Sequence, residues 1–379
     1  MTKKILFCAS SPMNYAMFKP IHKRLKQDER IELWFTANHK VKELYHAIGL
    51  ENERIVYKTL SYFRHYDMCI CPSFFYERKN ADVKVQIFHG VSLKNRAVHK
   101  KALAFDKLFL AGDYMKNKFV ETWGLTENDP RFEMIGMSKV DPLVNGSLNR
   151  GEIKKSLRID NDLPTVIYAP TRPSITSSSL QMVGEQVINT IADMEVNFLI
   201  KLHDRAYKQW RKKSEDWKQK LARLERSNVR VIEDYDIIPY LFISDLLVSD
   251  ISSVINEFSL LDRPIVLYDV PRLIGFHKRK ELKRGLKTSD LEDWGRDVGV
   301  IVEKRDYKIH PCILPCWPAF GCSDLLIRII LILSLWVRFA HPVLLQAKWF
   351  RQIGRPFRMD RNGTHFSAPA GFAPWTVRI

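Results

Sequence analysis

Residues 243–258 read Ile243-Ser244-Asp245-Leu246-Leu247-Val248-Ser249-Asp250-Ile251-Ser252-Ser253-Val254-Ile255-Asn256-Glu257-Phe258. Leu246, Leu247 and Val248 are apolar in succession. That pattern marks a strand buried on both faces rather than one with a wet side. The run ends at Ser249-Asp250, and a helix is expected to open at Ser252-Ser253. A buried strand passing directly into a helix is half of a βα unit, so this stretch places the chain among α/β proteins with a parallel sheet. Unpaired backbone N–H groups, the helix dipole and the hydroxyls of Ser249, Ser252 and Ser253 converge there, which makes an anion site. Glu257, one turn into the helix, is placed to accept hydrogen bonds from ribose hydroxyls. The plainer account is that Ser252 is an N-cap and Asp250 simply favours the dipole.

Working outward, the same alternation recurs on both sides. Upstream, Ile5–Ala9, Ile31–Thr36, Met68–Cys71, Val83–Phe88, Lys107–Ala111 and Phe132–Ile135 read as strands, with helices over Ala16–Lys26 and Val41–Ile48. Residues 138–163 hold Asp141-Pro142 and Asn145-Gly146, a linker composition. The rhythm then resumes with Thr165–Ala169, Asn197–Leu202, Val229–Ile232, Leu246–Ser249 and Pro264–Tyr268. The expected architecture is two Rossmann-like domains with parallel sheets facing a cleft, residues 1–140 and 164–307, joined by a linker over 141–163. From about Lys308 the rhythm stops, and a reading-frame shift or fusion scar after roughly Tyr307 accounts for the change of character. The apolar stretch Ile329–Val337 is flanked by Arg328 and Arg338 and is too short to span a bilayer.

The 379 residues allow two domains with a core in each, and 46% hydrophobic with 27% charged residues fit a globular chain. The formal net charge of +17 favours an anionic partner, whether nucleic acid, an anionic membrane surface or a phosphate-rich substrate. Cys8, Cys69 and Cys71 lie in apolar runs and read as small buried residues. Cys312, Cys316 and Cys322, near His310 and His341, match no standard zinc spacing, so no metal site is expected. The first ten residues carry too short an apolar run for a signal peptide, which places the chain in the cytoplasm.

Three further places put polar groups at the carboxyl ends of expected strands, where parallel sheets hold their sites. His89-Gly90 follows the strand ending at Phe88. An imidazole there suits acceptance of a hydroxyl proton, or else caps the strand through backbone hydrogen bonds. Tyr168-Ala169-Pro170-Thr171-Arg172 offers a guanidinium fork for phosphate oxygens, or a turn with an exposed Arg. In Ile200-Lys201-Leu202-His203-Asp204, Lys201 and His203 share a face. They can hold a pyrophosphate or assist a leaving group, or be a snorkelling Lys beside an exposed His. The basic stretch Lys208–Arg226, with Trp210 and Trp217, reads as a solvated helix face, and Lys278–Lys287 as a surface loop.

Taken in order, Phe88-His89-Gly90, Tyr168-Ala169-Pro170-Thr171-Arg172, Ile200-Lys201-Leu202-His203 and Ser249-Asp250-Ile251-Ser252-Ser253 resemble the CDP-glycerol:poly(glycerophosphate) glycerophosphotransferase family. Asp234-Tyr235-Asp236-Ile237-Ile238-Pro239-Tyr240-Leu241 and Arg263-Pro264-Ile265-Val266-Leu267-Tyr268-Asp269 flank the last motif and extend the likeness, which runs from about Lys84 to Asp269. The resemblance implies a GT-B fold, with acceptor in the first domain and CDP-donor in the second. It implies His89 as the base for the acceptor hydroxyl. His203, a second candidate catalytic group, would handle the donor phosphates with Arg172 and Lys201. Ser249, Asp250, Ser252 and Ser253, with Glu257, would line the donor pocket. Asp204 stands where the family usually has Pro, Ile251 where Tyr is common, and Glu257 where Asp is common.

The expected activity is transfer of glycerol phosphate, or another polyol phosphate, from a CDP-polyol to a hydroxyl of a surface polymer or lipid-linked acceptor, releasing CMP. No cofactor is required, although Mg²⁺ is compatible. The positive charge would draw an anionic acceptor and the anionic inner face of the cell membrane, making the protein cytoplasmic and peripheral. A nucleotide-sugar glycosyltransferase or epimerase would use the same scaffold. A basic nucleic-acid-binding or scaffold protein is the other alternative, and no reading motif for nucleic acid is present.

Overall fold

The computed structural model describes residues 2–9, 12–37, 52–72, 80–88, 97–173, 178–203, 217–224, 226–283 and 298–302, with residues 45, 49–50, 90, 206, 285, 358–359 and 366–367. His89, Asp204, most of the expected helix over Val41–Ile48, most of the basic stretch Lys208–Trp217 and the Cys/His-containing tail lie outside the described residues.

The first sheet contains β1 (Lys3–Phe7), β2 (Ile31–Ala37), β3 (Arg54–Tyr57), β4 (Tyr66–Cys71), β5 (Ala81–Ile87), β6 (Lys107–Leu110) and β7 (Phe132–Met134). Their spatial order is β3-β2-β1-β4-β5-β6-β7, and every neighbouring pair is parallel. The second sheet contains β8 (Thr165–Tyr168), β9 (Asn197–Ile200), β10 (Val229–Val231), β11 (Leu246–Ser249), β12 (Ile265–Tyr268) and β13 (Val300–Val302). Its order, β10-β9-β8-β11-β12-β13, is again parallel throughout. Both sheets reverse strand order beside their first strand, between β1 and β4 and between β8 and β11. In open α/β sheets such a switch point is where a ligand crevice forms.

Helices cover the sheets for the reason the apolar runs require it: strands buried on both faces need a layer on each side. Described helices include α1 (Pro12–Leu25), α2 (Asp113–Trp123), α3 (Asp141–Val144), α4 (Arg150–Ser156), α5 (Ser179–Ala192), α6 (Trp217–Ala222), α7 (Ile238–Ile243), α8 (Val254–Phe258) and α9 (Pro271–Leu282). Leu143 is buried in the same apolar cluster as Leu199, Leu247 and Ile265, with Ile153 and Leu157 packed against it. The chain therefore crosses from one sheet to the other near Ser138–Asp141, and the segment after the crossing packs on the second sheet.

Two expectations are corrected here. Lys278–Leu282 is the last turn of α9, not a surface loop. Trp217 does not belong to a solvated face: it is buried against α5. A Cβ on Gly184 would lie 3.1 Å from its ring, tighter than an ordinary contact, so the glycine gives the indole room to seat this close.

The three described cysteines are free and buried, as their apolar surroundings require. Register sets Leu6 beside Cys69 on neighbouring strands. The three thiol sulfurs lie within 4.8 Å of one another. Burial pushes the Cys71 thiol well above its ordinary value, which keeps it protonated and unreactive.

His22 on α1 is also buried, with Tyr15 Oη 3.1 Å from Nδ1 and a Glu53 carboxylate oxygen 3.2 Å from Nε2. Burial lowers its pKa below 6.5, nearby Lys26 acts in the same direction, and Glu53 opposes them. Between the folded and unfolded values the unfolded chain binds the extra proton, so this site's contribution is complete above about pH 6.5 and is lost as pH falls below it. Denaturant melts between pH 7.5 and 5.5 should show a loss of stability on acidification that is shallower in His22→Gln. An identical slope in the variant would refute the assignment.

Candidate active site

The centre of the second switch point is the Asp250 carboxylate. One oxygen accepts from the backbone N–H of Thr171 at 2.8 Å and of Ile251 at 2.7 Å. The other accepts from the backbone N–H of Ser179 at 3.0 Å and from its hydroxyl at 2.9 Å. Asp250 is only 3% exposed, so these four donors replace the water an ionised carboxylate would otherwise hold. They tie three pieces together: the exit of β8, the first turn of α5 and the exit of β11. Ser249 adds a fifth bond, its hydroxyl donating to the Ala169 carbonyl at 2.7 Å. Beneath them, Tyr168 Oη lies 3.2 Å from Ser179 Oγ, and burial pushes the phenol far above its usual range.

With Ser249 and Asp250 engaged in bracing, Ser252 and Ser253 are the half-buried members of the motif at the strand exit. Ser253, rather than Ser252, precedes the helix; it has helical backbone angles and makes no capping bond. Because α8 has five residues, the helix dipole adds less here than the sequence pattern implied. The polar groups of the turn itself carry the site.

Beside β11 lies β8, with β9 next to it, and the exits of β8 and β9 supply the cationic groups. The Lys201 N–H donates to the Tyr168 carbonyl at 3.0 Å, which sets the two exits side by side. Lys201 is buried and its ammonium donates to the Leu202 carbonyl at 3.1 Å. Arg172 and His203 are half-buried on the same edge. The structure thus gathers Arg172, Lys201, His203, Ser252 and Ser253 along the carboxyl ends of three adjacent strands. Of the neighbouring motifs, Asp236 accepts from the Ile238 N–H at 3.1 Å at the start of α7. Arg263 braces the opposite, amino-terminal side of the sheet, donating to the Phe242 and Ser244 carbonyls, both at 2.6 Å.

His89 lies outside the described residues, but its neighbours Phe88 and Gly90 are placed at the exit of β5. Gly90 has φ +154°, and a Cβ there would lie 3.5 Å from both Cβ and Oγ of Ser253. The carboxyl ends of the two sheets therefore meet at this point. Next to it, Met17, Phe88, Gly90, Met137, Ser138 and Lys139 help to line a small hollow with about 20 Å³ of water-accessible space. The hollow formed by Trp34, Arg64, His65 and Tyr66 lies at the amino ends of the strands, away from the crevice.

Among the described residues, two ion pairs span the sheets. Lys19 on α1 reaches Asp236 at 3.1 Å. Lys139 donates to both carboxylate oxygens of Glu257, each at 2.7 Å. Glu257, expected to meet ribose hydroxyls, is buried and already has this partner. Sequence reasoning missed Lys139, which sits in a segment read as the edge of a linker.

Residues 1–272 match the family of CDP-Glycerol:Poly(glycerophosphate) glycerophosphotransferases. The chain belongs to this family. It is 28% identical over 168 residues to the teichoic acid glycerol-phosphate primase of Bacillus subtilis (strain 168), covering 44% of this chain and 40% of that protein. With the same-named protein of Bacillus spizizenii it shares 27% over 177 residues, 46% of this chain and 42% of the relative. The chain thus spans about two-fifths of the length of these curated relatives. In fold it is similar to a variant of the wall teichoic acid polymerase TagF, with a TM-score of 0.56 and 18% identity over 79% of this chain and 76% of that one. It is also similar to the UDP-GlcNAc 2-epimerase of Neisseria meningitidis, with a TM-score of 0.52 and 13% identity over 76% of this chain and 89% of that one. These likenesses support the GT-B-like, two-sheet fold read from the sequence.

The division between bracing and facing residues gives a sharp expectation. Asp250→Ala removes an acceptor from four buried donors and should destabilise the protein by about 3 kcal/mol in denaturant melts. Ser252→Ala should stay within about 0.5 kcal/mol of the parent. Equal effects of the two substitutions would contradict the assignment.

Proposed function

We propose that the chain transfers glycerol phosphate, or another polyol phosphate, from a CDP-polyol to a hydroxyl of a cell-surface polymer or lipid-linked acceptor. Family membership supports the reaction class. The observation that carries the site is the approach of Gly90 to Ser253, because it sets the position next to His89 against the donor edge of the other sheet. In this reading the acceptor hydroxyl attacks the polyol-side phosphorus, forming the new P–O bond. The bridging P–O bond to the cytidylyl group breaks, and CMP leaves with the electron pair. His89 takes the hydroxyl proton. Arg172, Lys201 and His203 stabilise charge on the phosphate oxygens, His203 nearest in role to the leaving group, while Ser252, Ser253 and Glu257 contact the donor. Ser249 and Asp250 shape the pocket through the bonds described above. Positioning and cationic stabilisation supply the catalysis in this scheme, and no resident cofactor is invoked. Mg²⁺ enters, if at all, as a loosely held companion of the diphosphate.

The net charge of +17 supports attraction to a polyanionic acceptor and to the anionic inner face of the cell membrane. Among the described residues no helix is long and apolar enough to cross a membrane. We therefore read the protein as cytoplasmic and peripheral, acting in teichoic acid or capsule polymer synthesis.

CMP release should be measured with CDP-glycerol, CDP-ribitol and a UDP-sugar beside a membrane acceptor fraction. Wild type should release CMP from one CDP-polyol, and His89→Ala should lower the rate by about 10²- to 10⁴-fold. Release of UMP or UDP from the sugar nucleotide, with silence on both CDP-polyols, would replace this reading with that of a sugar-nucleotide enzyme.

A further inference from the structure

The interaction that neither the motifs nor the comparisons account for is the pair between Lys139 and Glu257. Lys139 lies in the single turn Ser138–Val140 that follows β7. Ser138 is tied back to the first sheet's cover, its hydroxyl 3.5 Å from the Met17 carbonyl on α1. Glu257 lies on α8, beneath the Ser252-Ser253 turn of the other sheet. The two side chains are 10% and 5% exposed, so both charges have left water. Desolvating an ion pair costs about as much as the pair returns, and an apolar contact would hold two domains together at least as well. The pair's placement therefore calls for another reason. It lies beside the contact between Gly90 and Ser253 and borders the pocket at the exits of β5–β7.

Carboxylate chemistry supplies that reason. An ionised carboxylate offers about four acceptor positions, two on each oxygen. Lys139 engages each oxygen once, which fixes the plane of the group and leaves one position on each for further donors. A pair of vicinal hydroxyls, such as a ribose presents, matches two acceptors held in one plane.

We propose that Lys139 is a positioning residue for the donor site: anchored to the first sheet, it holds the Glu257 carboxylate of the second sheet in the orientation that receives the nucleotide ribose. This rests on the donor-binding reading given above and extends it. Donor affinity is then linked to apposition of the two sheets, because the group that orients Glu257 comes from the opposite side of the cleft. Lys139→Arg keeps the charge and can still donate to both carboxylate oxygens, whereas Lys139→Met keeps only the bulk.

The test uses the full chain with Lys139→Met, Lys139→Arg, Glu257→Gln and the double variant Lys139→Met/Glu257→Gln. It measures CDP affinity by calorimetry, KM and kcat for CDP-glycerol, and thermal stability. Lys139→Met should weaken CDP binding and raise the donor KM by at least about tenfold, with kcat at saturating donor changed by less than about threefold. Lys139→Arg should recover most of the affinity. The double variant removes the unpaired buried carboxylate and should regain thermal stability while its donor affinity stays low. A merely structural pair predicts that affinity returns with stability, and that result would overturn the proposal. So would a donor affinity in Lys139→Met or Glu257→Gln within about twofold of wild type. CMP release by wild type stands independently of these outcomes and reports on the reaction class. If wild type transfers nothing yet binds CDP, the affinities still decide the role of Lys139; if it binds no CDP, both readings fall.

Discussion

The site depends on one buried carboxylate. Asp250 collects three backbone N–H groups and one hydroxyl from two strand exits and a helix start, and among the described residues these four donors include no cation. Water could satisfy the same oxygens in an open loop, but a buried anion needs fixed donors, and these can be reached from only one arrangement of the three segments. Once that arrangement is set, Arg172 leaves β8 and Ser252-Ser253 leave β11 in adjoining positions. The opposing Gly90 then has a defined surface to approach.

Acidic groups on the second sheet are used in the same inward manner. Asp245 takes the Thr165 N–H at 2.8 Å and pairs with Arg150 at 2.8 Å. Asp236 and Glu257 are drawn toward lysines of the first sheet. Basic residues outnumber acidic ones in the whole chain, 60 to 43. Part of that excess, Arg172, Lys201 and His203, gathers at the carboxyl edge of the second sheet. A crevice lined in this way concentrates anions more than the overall charge alone would.

Much of the fold was legible because both-face burial writes itself as a run of apolar residues. Ile5–Phe7, Val166–Tyr168 and Leu246–Val248 are such runs, and each is a strand at the centre of its sheet. Of the four edge strands, β7 and β10 were still legible, whereas β3 and β13 escape this signal. In β3 only Val56 is buried, so Arg54-Ile55-Val56-Tyr57 was not read as a strand, and β13 at the other sheet's margin was likewise missed. Trp217 was misread because its flanking lysines suggested a wet helix; nothing in the local pattern announced that Gly184 would open a seat for it. The candidate site was legible as positions, since strand exits can be counted along the chain. Its internal bonds were not. Ser249 and Asp250 advertise polarity without saying whether it points outward to a ligand or inward to N–H groups, and Lys139 finds Glu257 across 118 residues of sequence.

The parallel order of both sheets also governs how the chain acquires its structure. Each sheet begins from an interior strand, so β1 and β8 pair with the next strand on one side and wait on the other for β4 and β11, which arrive much later in sequence. Contacts of that range close large loops and slow folding. All seven strands of the first sheet lie within residues 3–134, whereas the second sheet begins at residue 165. On the ribosome the first sheet can therefore assemble while the second is still being synthesised, as is general for domains that fold as units. The two lysine–carboxylate pairs between the sheets belong to the last stage of assembly. Until then, the face that will become the crevice is open to water and to other chains.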